Sequence, residues 1–167
     1  MSTQANKIQT HRFKYATPEN PADFNPADFV EKAISWVKSL VKPGEKIALS
    51  ASGGVDSTIA AFLLDRIVGK DLYAFFIEDG CRRLINDKPE GEVTREIFSR
   101  LNFTVLEVRD EILPPLVGLS DGEEKRKTFI GNYRKVSDRY IDQVGASWIA
   151  DGTIAPELGS NAESRPV

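Results

Sequence analysis

Strand-like and helix-like segments alternate along this chain, and that alternation restricts the fold more than any other feature. "KIALSA" (46–51) reads as a buried strand, and 54–69 as a helix that stops at Gly69. "DLYAFFIE" (71–78) is a second, aromatic-rich strand, followed by a polar loop, "DGCRRLINDKPEG". A helix over 91–101, a strand over 103–108, a loop with Pro114 and Pro115, a charged helix over 121–144 and a strand over 147–151 complete the pattern. Strands separated by helices pair in parallel, with helices on both faces. The expected class is therefore α/β, a doubly wound parallel sheet. Ligands in such sheets bind beyond the carboxyl ends of the strands, where the strand order reverses. Function is expected in the loops 50–57, 78–91, 109–120 and 151–167.

Ahead of the sheet, "FNPADFVEKAISWVKSLV" predicts an amphipathic helix, with Asn25 as its cap and Pro26 at its first position. Residues 1–24 have no period and read as a flexible or surface-draped leader, which leaves 25–167 as one domain. The formal charge of −3 argues against general nucleic-acid binding. No apolar run approaches the ~18–20 residues of a membrane span, and the N-terminus lacks a secretory core. Cys81 is the single cysteine, so no internal disulfide forms, which fits a cytoplasmic protein. It also excludes a multi-cysteine metal site within one chain.

Between the first strand and its helix stands "SASGGVDST", Ser50 to Thr58. Gly53 and Gly54 let the backbone approach an anion, and a helix N-terminus supplies unpaired N–H groups and a favourable dipole. Ser52, Ser57 and Thr58 add hydroxyls. Asp56 would repel a phosphate unless Mg²⁺ bridges the two, an arrangement that needs only one or two carboxylates. Neither a Walker A motif nor a G-x-G-x-x-G fingerprint is present. A capped turn built from the same residue types is the alternative.

The string "SGGVDST" resembles the phosphate loop of the N-type ATP pyrophosphatases, the PP-loop superfamily, whose fold is the adenine nucleotide alpha hydrolase type. "FNPADFVEK" (24–32), "SDGEEKRKTFIG" (120–131) and "DGTIAP" (151–156) resemble the opening helix, the lid segment and the post-strand element of GMP synthetases. The resemblance covers about residues 24–158. It implies a ligase that uses ATP and Mg²⁺ to adenylate an oxygen of XMP, which ammonia then replaces to give GMP in purine biosynthesis. It also implies that Ser50, Ser52, Gly53, Gly54, Val55, Asp56, Ser57 and Thr58 hold pyrophosphate, with Asp56 on the metal. Backbone at Phe76 and Ile77 would meet adenine, Gly152 and Thr153 would close the nucleotide site, and Lys125, Arg126 and Lys127 would bring positive charge from a lid. A glutaminase subunit or free ammonia would supply the nitrogen.

The chain departs from that pattern in places. "LSASGG" is two residues longer than the family's "LSGG", Glu78 and Asp79 replace a single aspartate, and Asp151 stands for a glutamine. The family continues into a second domain that dimerises and contacts XMP. The chain ends at Val167, so that domain is expected to be absent from it, and the oligomeric state, a homodimer included, is left open. Two other readings stay open: a PP-loop enzyme that adenylates another acceptor for thiolation or amidation, and a nucleotide-binding module without catalysis. On residue chemistry alone, "EEKRK" also fits a solvated helix face, Phe75 and Phe76 fit a core, and Cys81 fits an inert loop thiol, with Arg82 and Arg83 of the right sign to activate it. His11 lies in the leader, away from the expected site.

Overall fold

A computed structural model describes residues 11–16, 18 and 20–152. The chain divides into two compact units, Met1–Leu40 and Val41–Val167.

In the first unit, α1 spans Pro26–Leu40. Asn25 caps it as its sequence predicts, its side-chain oxygen accepting from the N–H groups of Ala27 (3.1 Å) and Asp28 (3.2 Å). Leader residues pack on this helix: Phe13 and Tyr15 set their rings edge-on to Phe29, at 5.5 and 5.1 Å between centroids. The Tyr15 hydroxyl donates to Asp28 at 2.7 Å.

In the second unit the elements follow the predicted alternation. They are β1 (Ile47–Ser50), α2 (Val55–Val68), β2 (Leu72–Glu78), a short hairpin of β3 (Leu84–Ile85) and β4 (Lys88–Pro89), α3 (Glu90–Ile97), β5 (Phe103–Glu107), α4 (Arg109–Ile112), α5 (Gly122–Val144) and β6 (Trp148–Ala150). The sheet runs β5-β2-β1-β6 with every neighbouring pair parallel. Both faces are covered, which is why β2 reads as a near-continuous apolar run. Ala48, Phe75 and Ile77 face Val108, Ile112, Val136 and Tyr140. The alternate residues of the strands, Leu49, Leu72, Ala74 and Phe76, are fully buried toward α2 and α3. Each such aromatic or leucine contributes roughly 1.5–3 kcal/mol of burial.

Three elements differ from their sequence readings. The loop 79–91 contains the β3–β4 hairpin, turned by Asn86 and Asp87, both with positive φ (51° and 62°). The helix read over 91–101 ends at Ile97, because Phe98, Ser99 and Leu101 pass into tight turns. The loop 109–120 holds the short helix α4 and a 3₁₀ turn at Pro114–Leu116. Among the described residues no helix is long and apolar enough to cross a membrane.

Candidate functional site

The strand order reverses at β1. Its chain successor β2 lies on one side and the last strand, β6, on the other. The crevice beyond the carboxyl ends of β1 and β6 is therefore the ligand position expected of an open α/β sheet. The loop 51–54 and residues 151–152 emerge there.

The extra residues before the glycines extend the strand ladder: Ala51 is buried and its N–H donates to the Phe75 carbonyl at 2.8 Å. The chain then turns through Gly53, whose φ is +76°, and enters α2 from the extended backbone of Gly54. The hydroxyls are spent inside the loop. Ser57 Oγ accepts from the Ser52 N–H (3.2 Å) and donates to the Gly54 carbonyl (3.1 Å), which also receives Thr58 Oγ1 at 2.7 Å. Ser52 Oγ lies 3.2 Å from Ser57 Oγ. The N–H groups of Gly53, Val55, Asp56 and Ser57 find no acceptor among the described residues. The free donors at this helix N-terminus are therefore backbone N–H groups, whereas the Ser57 and Thr58 hydroxyls bond within the loop. Ser57 is buried, whereas Val55 and Asp56 are exposed in the first turn.

Gly152 closes one side of this nest. A Cβ built on it would stand 3.0 Å from the Ser57 nitrogen and 3.2 Å from the Asp56 carbonyl carbon, so a side chain here would crowd the backbone that opens α2. Thr153 lies outside the described residues, as does the rest of the "GTIAP" element beyond Gly152. Helix α3 closes another side. A Cβ on Gly53 would meet Thr94 Oγ1 at 3.2 Å and Glu90 Oε1 at 3.5 Å. Glu90 is buried and pairs with Arg83 at 2.8 Å.

Phe76 and Ile77 are fully buried core residues, so only their backbone is offered at the strand end, and the Ile77 carbonyl accepts from Arg82 Nε at 3.0 Å. Arg82 also pairs with buried Asp79 (3.2 Å) and covers the Phe76 ring at 5.0 Å. Arg82 and Arg83 are thus committed to Asp79 and Glu90, while Cys81 is exposed. Lys125, Arg126 and Lys127 occupy the first turns of α5, exposed to solvent. Arg126 and Lys127 pair with Glu123, at 2.7 and 3.8 Å, and this pairing holds the Glu123 carboxyl below its ordinary value and the Arg126 guanidinium above its own. None of the three makes a hydrogen bond or ion pair to the glycine loop among the described residues.

The sequence reading missed a cavity of about 550 Å³ beyond the ends of β2 and β5. Glu78 and Glu107, register partners on the adjacent strands, line it with Arg83, Arg95 and Arg109. Its signal was the arginine content of the loops after those strands. Asp56, an exposed carboxylate in the first turn of α2 next to the free backbone donors, is the side chain that could hold a magnesium ion shared with phosphate, an arrangement that needs only one or two carboxylates.

No protein-family model matches the chain. It is 40% identical to one of the subunits of the glutamine-hydrolyzing GMP synthase of Methanothermobacter thermautotrophicus over 134 residues, covering 80% of this chain and 42% of that protein. It is 32% identical to the glutamine-hydrolyzing GMP synthase of Nitrosomonas eutropha over 166 residues, covering 97% of this chain and 31% of that protein. The chain thus spans less than half the length of these curated relatives. Among solved structures it resembles an NH3-dependent NAD synthetase from Campylobacter jejuni (TM-score 0.65, 16% identity, 81% of this chain and 59% of that one). It also resembles a U34-tRNA thiolase from Methanococcus maripaludis (TM-score 0.62, 17% identity, 81% of this chain and 50% of that one). At that identity the likeness is one of fold, and the fold is that of the adenine nucleotide alpha hydrolases.

Proposed function

We infer that this chain, a homologue of the GMP synthases over most of its own length, is an ATP pyrophosphatase of the GMP synthase kind. The observation that carries the reading is the nest: four backbone N–H groups without acceptors among the described residues, at a helix N-terminus, beyond the switch point of the sheet.

In the proposed reaction the 2-oxygen of XMP attacks the α-phosphorus of ATP. The bond to the bridging oxygen breaks and pyrophosphate leaves, giving an adenylated XMP. Ammonia, free or from a glutaminase subunit, then displaces AMP and yields GMP. The N–H groups of Gly53, Val55, Asp56 and Ser57 hold the β- and γ-phosphates before and after cleavage, and so stabilise the charge that collects on the leaving group. Gly152 and Thr153 bound that pocket, and the backbone at Phe76 and Ile77 borders the adenine. Asp56 would hold Mg²⁺, which when bound neutralises charge on the phosphate oxygens. Lys125, Arg126 and Lys127 would leave the Glu123 pairings and swing toward the phosphates when substrate is present.

Calorimetry with ATP and Mg²⁺, and pyrophosphate release on adding XMP, test this reading. Saturable ATP binding displaced by pyrophosphate, with XMP-stimulated release, is expected. No ATP binding rejects the pyrophosphatase assignment. ATP binding with release that XMP leaves unchanged rejects the GMP synthase form of it.

A further inference from the structure

Glu90 is an unexpected neighbour for an anion site. It is 6% exposed, and its Oε1 sits where a side chain at Gly53 would project. Three contacts fix it there. Its N–H donates to the Arg83 carbonyl at 3.2 Å, its own carbonyl accepts from Thr94 Oγ1 at 2.7 Å, and its Oε1 accepts from Arg83 Nε at 2.8 Å. Among the described residues Arg83 is anchored through Nε alone, and its side chain is 69% exposed, which leaves its terminal nitrogens available to the cavity beyond β2 and β5. A single carboxylate therefore touches both the wall of the nest and the anchor of a cavity arginine.

We infer that Glu90 is a positioning residue that joins the nest to the cavity: it aims the Arg83 guanidinium into the cavity while Arg83 cancels the charge Glu90 would otherwise turn on a bound pyrophosphate. This rests on the reading of the loop as a pyrophosphate site. The physics is a charge cycle. The Arg83–Glu90 pair is neutral, and removing Arg83 leaves an uncompensated carboxylate beside the nest that repels an anion.

The test is calorimetric titration of Mg²⁺-pyrophosphate into the wild-type chain, Arg83→Ala, Glu90→Gln and the double variant. Arg83→Ala is expected to weaken binding about tenfold. Glu90→Gln is expected to bind at least as tightly as wild type. The double variant is expected to return to within about threefold of wild type, because the two charges act on the anion with opposite sign. A double variant as weak as Arg83→Ala overturns the inference. So does a Glu90→Gln variant that binds Mg²⁺-pyrophosphate more weakly, since a metal ligand would behave that way. If Glu90→Gln unfolds, Arg83→Lys decides: affinity near wild type supports charge cancellation, and a loss equal to that of Arg83→Ala overturns it. A wild-type chain that does not bind pyrophosphate overturns the proposed function along with this inference, whereas a loss of affinity in both single variants of a binding wild type overturns the inference alone.

Discussion

The backbone of Gly152 lies against the backbone of Ser57, so close that a Cβ at 152 would stand 3.0 Å from the Ser57 nitrogen. The neighbour is main chain at the start of a helix and has no rotamer with which to yield. Gly152→Ala is expected to cost about 1–3 kcal/mol of stability, as overpacking does. It is also expected to weaken pyrophosphate binding by at least about tenfold, since the methyl group presses on one of the four free donors. Urea unfolding and calorimetry read the two effects separately.

The two glycines of the loop predict unequal responses. Gly53 has a φ of +76° and a filled space beyond it, so Gly53→Ala is expected to cost about 1–2 kcal/mol and to distort the nest. Gly54 has an extended backbone and an ordinary contact, 3.4 Å to Ser52 Oγ, so Gly54→Ala is expected to cost under about 1 kcal/mol. Thermal melts of the two variants check the order, and equal losses would refute it.

Asp56 stands exposed in the first turn of α2, where its charge favours the helix dipole. Asp56→Asn is expected to lose about 0.3–1 kcal/mol of stability. Pyrophosphate affinity measured with Mg²⁺ should fall, while affinity measured with EDTA should hold or rise, because a repelling charge is gone. A fall under both conditions would remove Asp56 from the metal site.

Glu45 joins the turn before β1 to the last strand: its Oε2 accepts the Lys42 N–H at 2.9 Å and the Trp148 indole N–H at 2.8 Å. Those two donors, the backbone one first, hold its carboxyl below the ordinary glutamate value of 4.5. A group that ionises more readily when folded stabilises the fold above its unfolded value, and that contribution is lost as the pH falls through the folded value. Glu45→Ala is thus expected to lower the melting temperature at neutral pH. The difference from wild type should close in acid below 4.5. A difference independent of pH would count against the carboxylate as its cause.

What the sequence made legible was periodic or punctuated. β2 announced itself as seven apolar-rich residues, and α5 as a long charged helix ended by Gly145. The nest was legible because glycines and a helix start are local features. Glu90 and Thr94 were not, because they reach Gly53 from a separate element, and nothing local to "EGEVT" marks a buried carboxylate. The hairpin at 84–89 was hidden by its turn: Asn-Asp takes two positive φ angles less readily than the Asn-Gly that advertises such turns. The hydroxyls of Ser57 and Thr58 looked like ligand donors, and only the folded loop reveals that both turn back to the Gly54 carbonyl.

The pairing of β1 with β6 also bears on the order of folding. The glycine loop and α2 form from neighbouring residues, but the wall that Gly152 supplies arrives only when β6 docks, drawing together partners such as Glu45 and Trp148, 103 positions apart. Closing so long a loop is entropically slow compared with forming a helix. A newly made chain would carry the folded glycine loop and α2 well before that wall is in place. Ligand present during refolding should therefore act on the final docking step, slowing its reversal and leaving the earlier helical phase untouched.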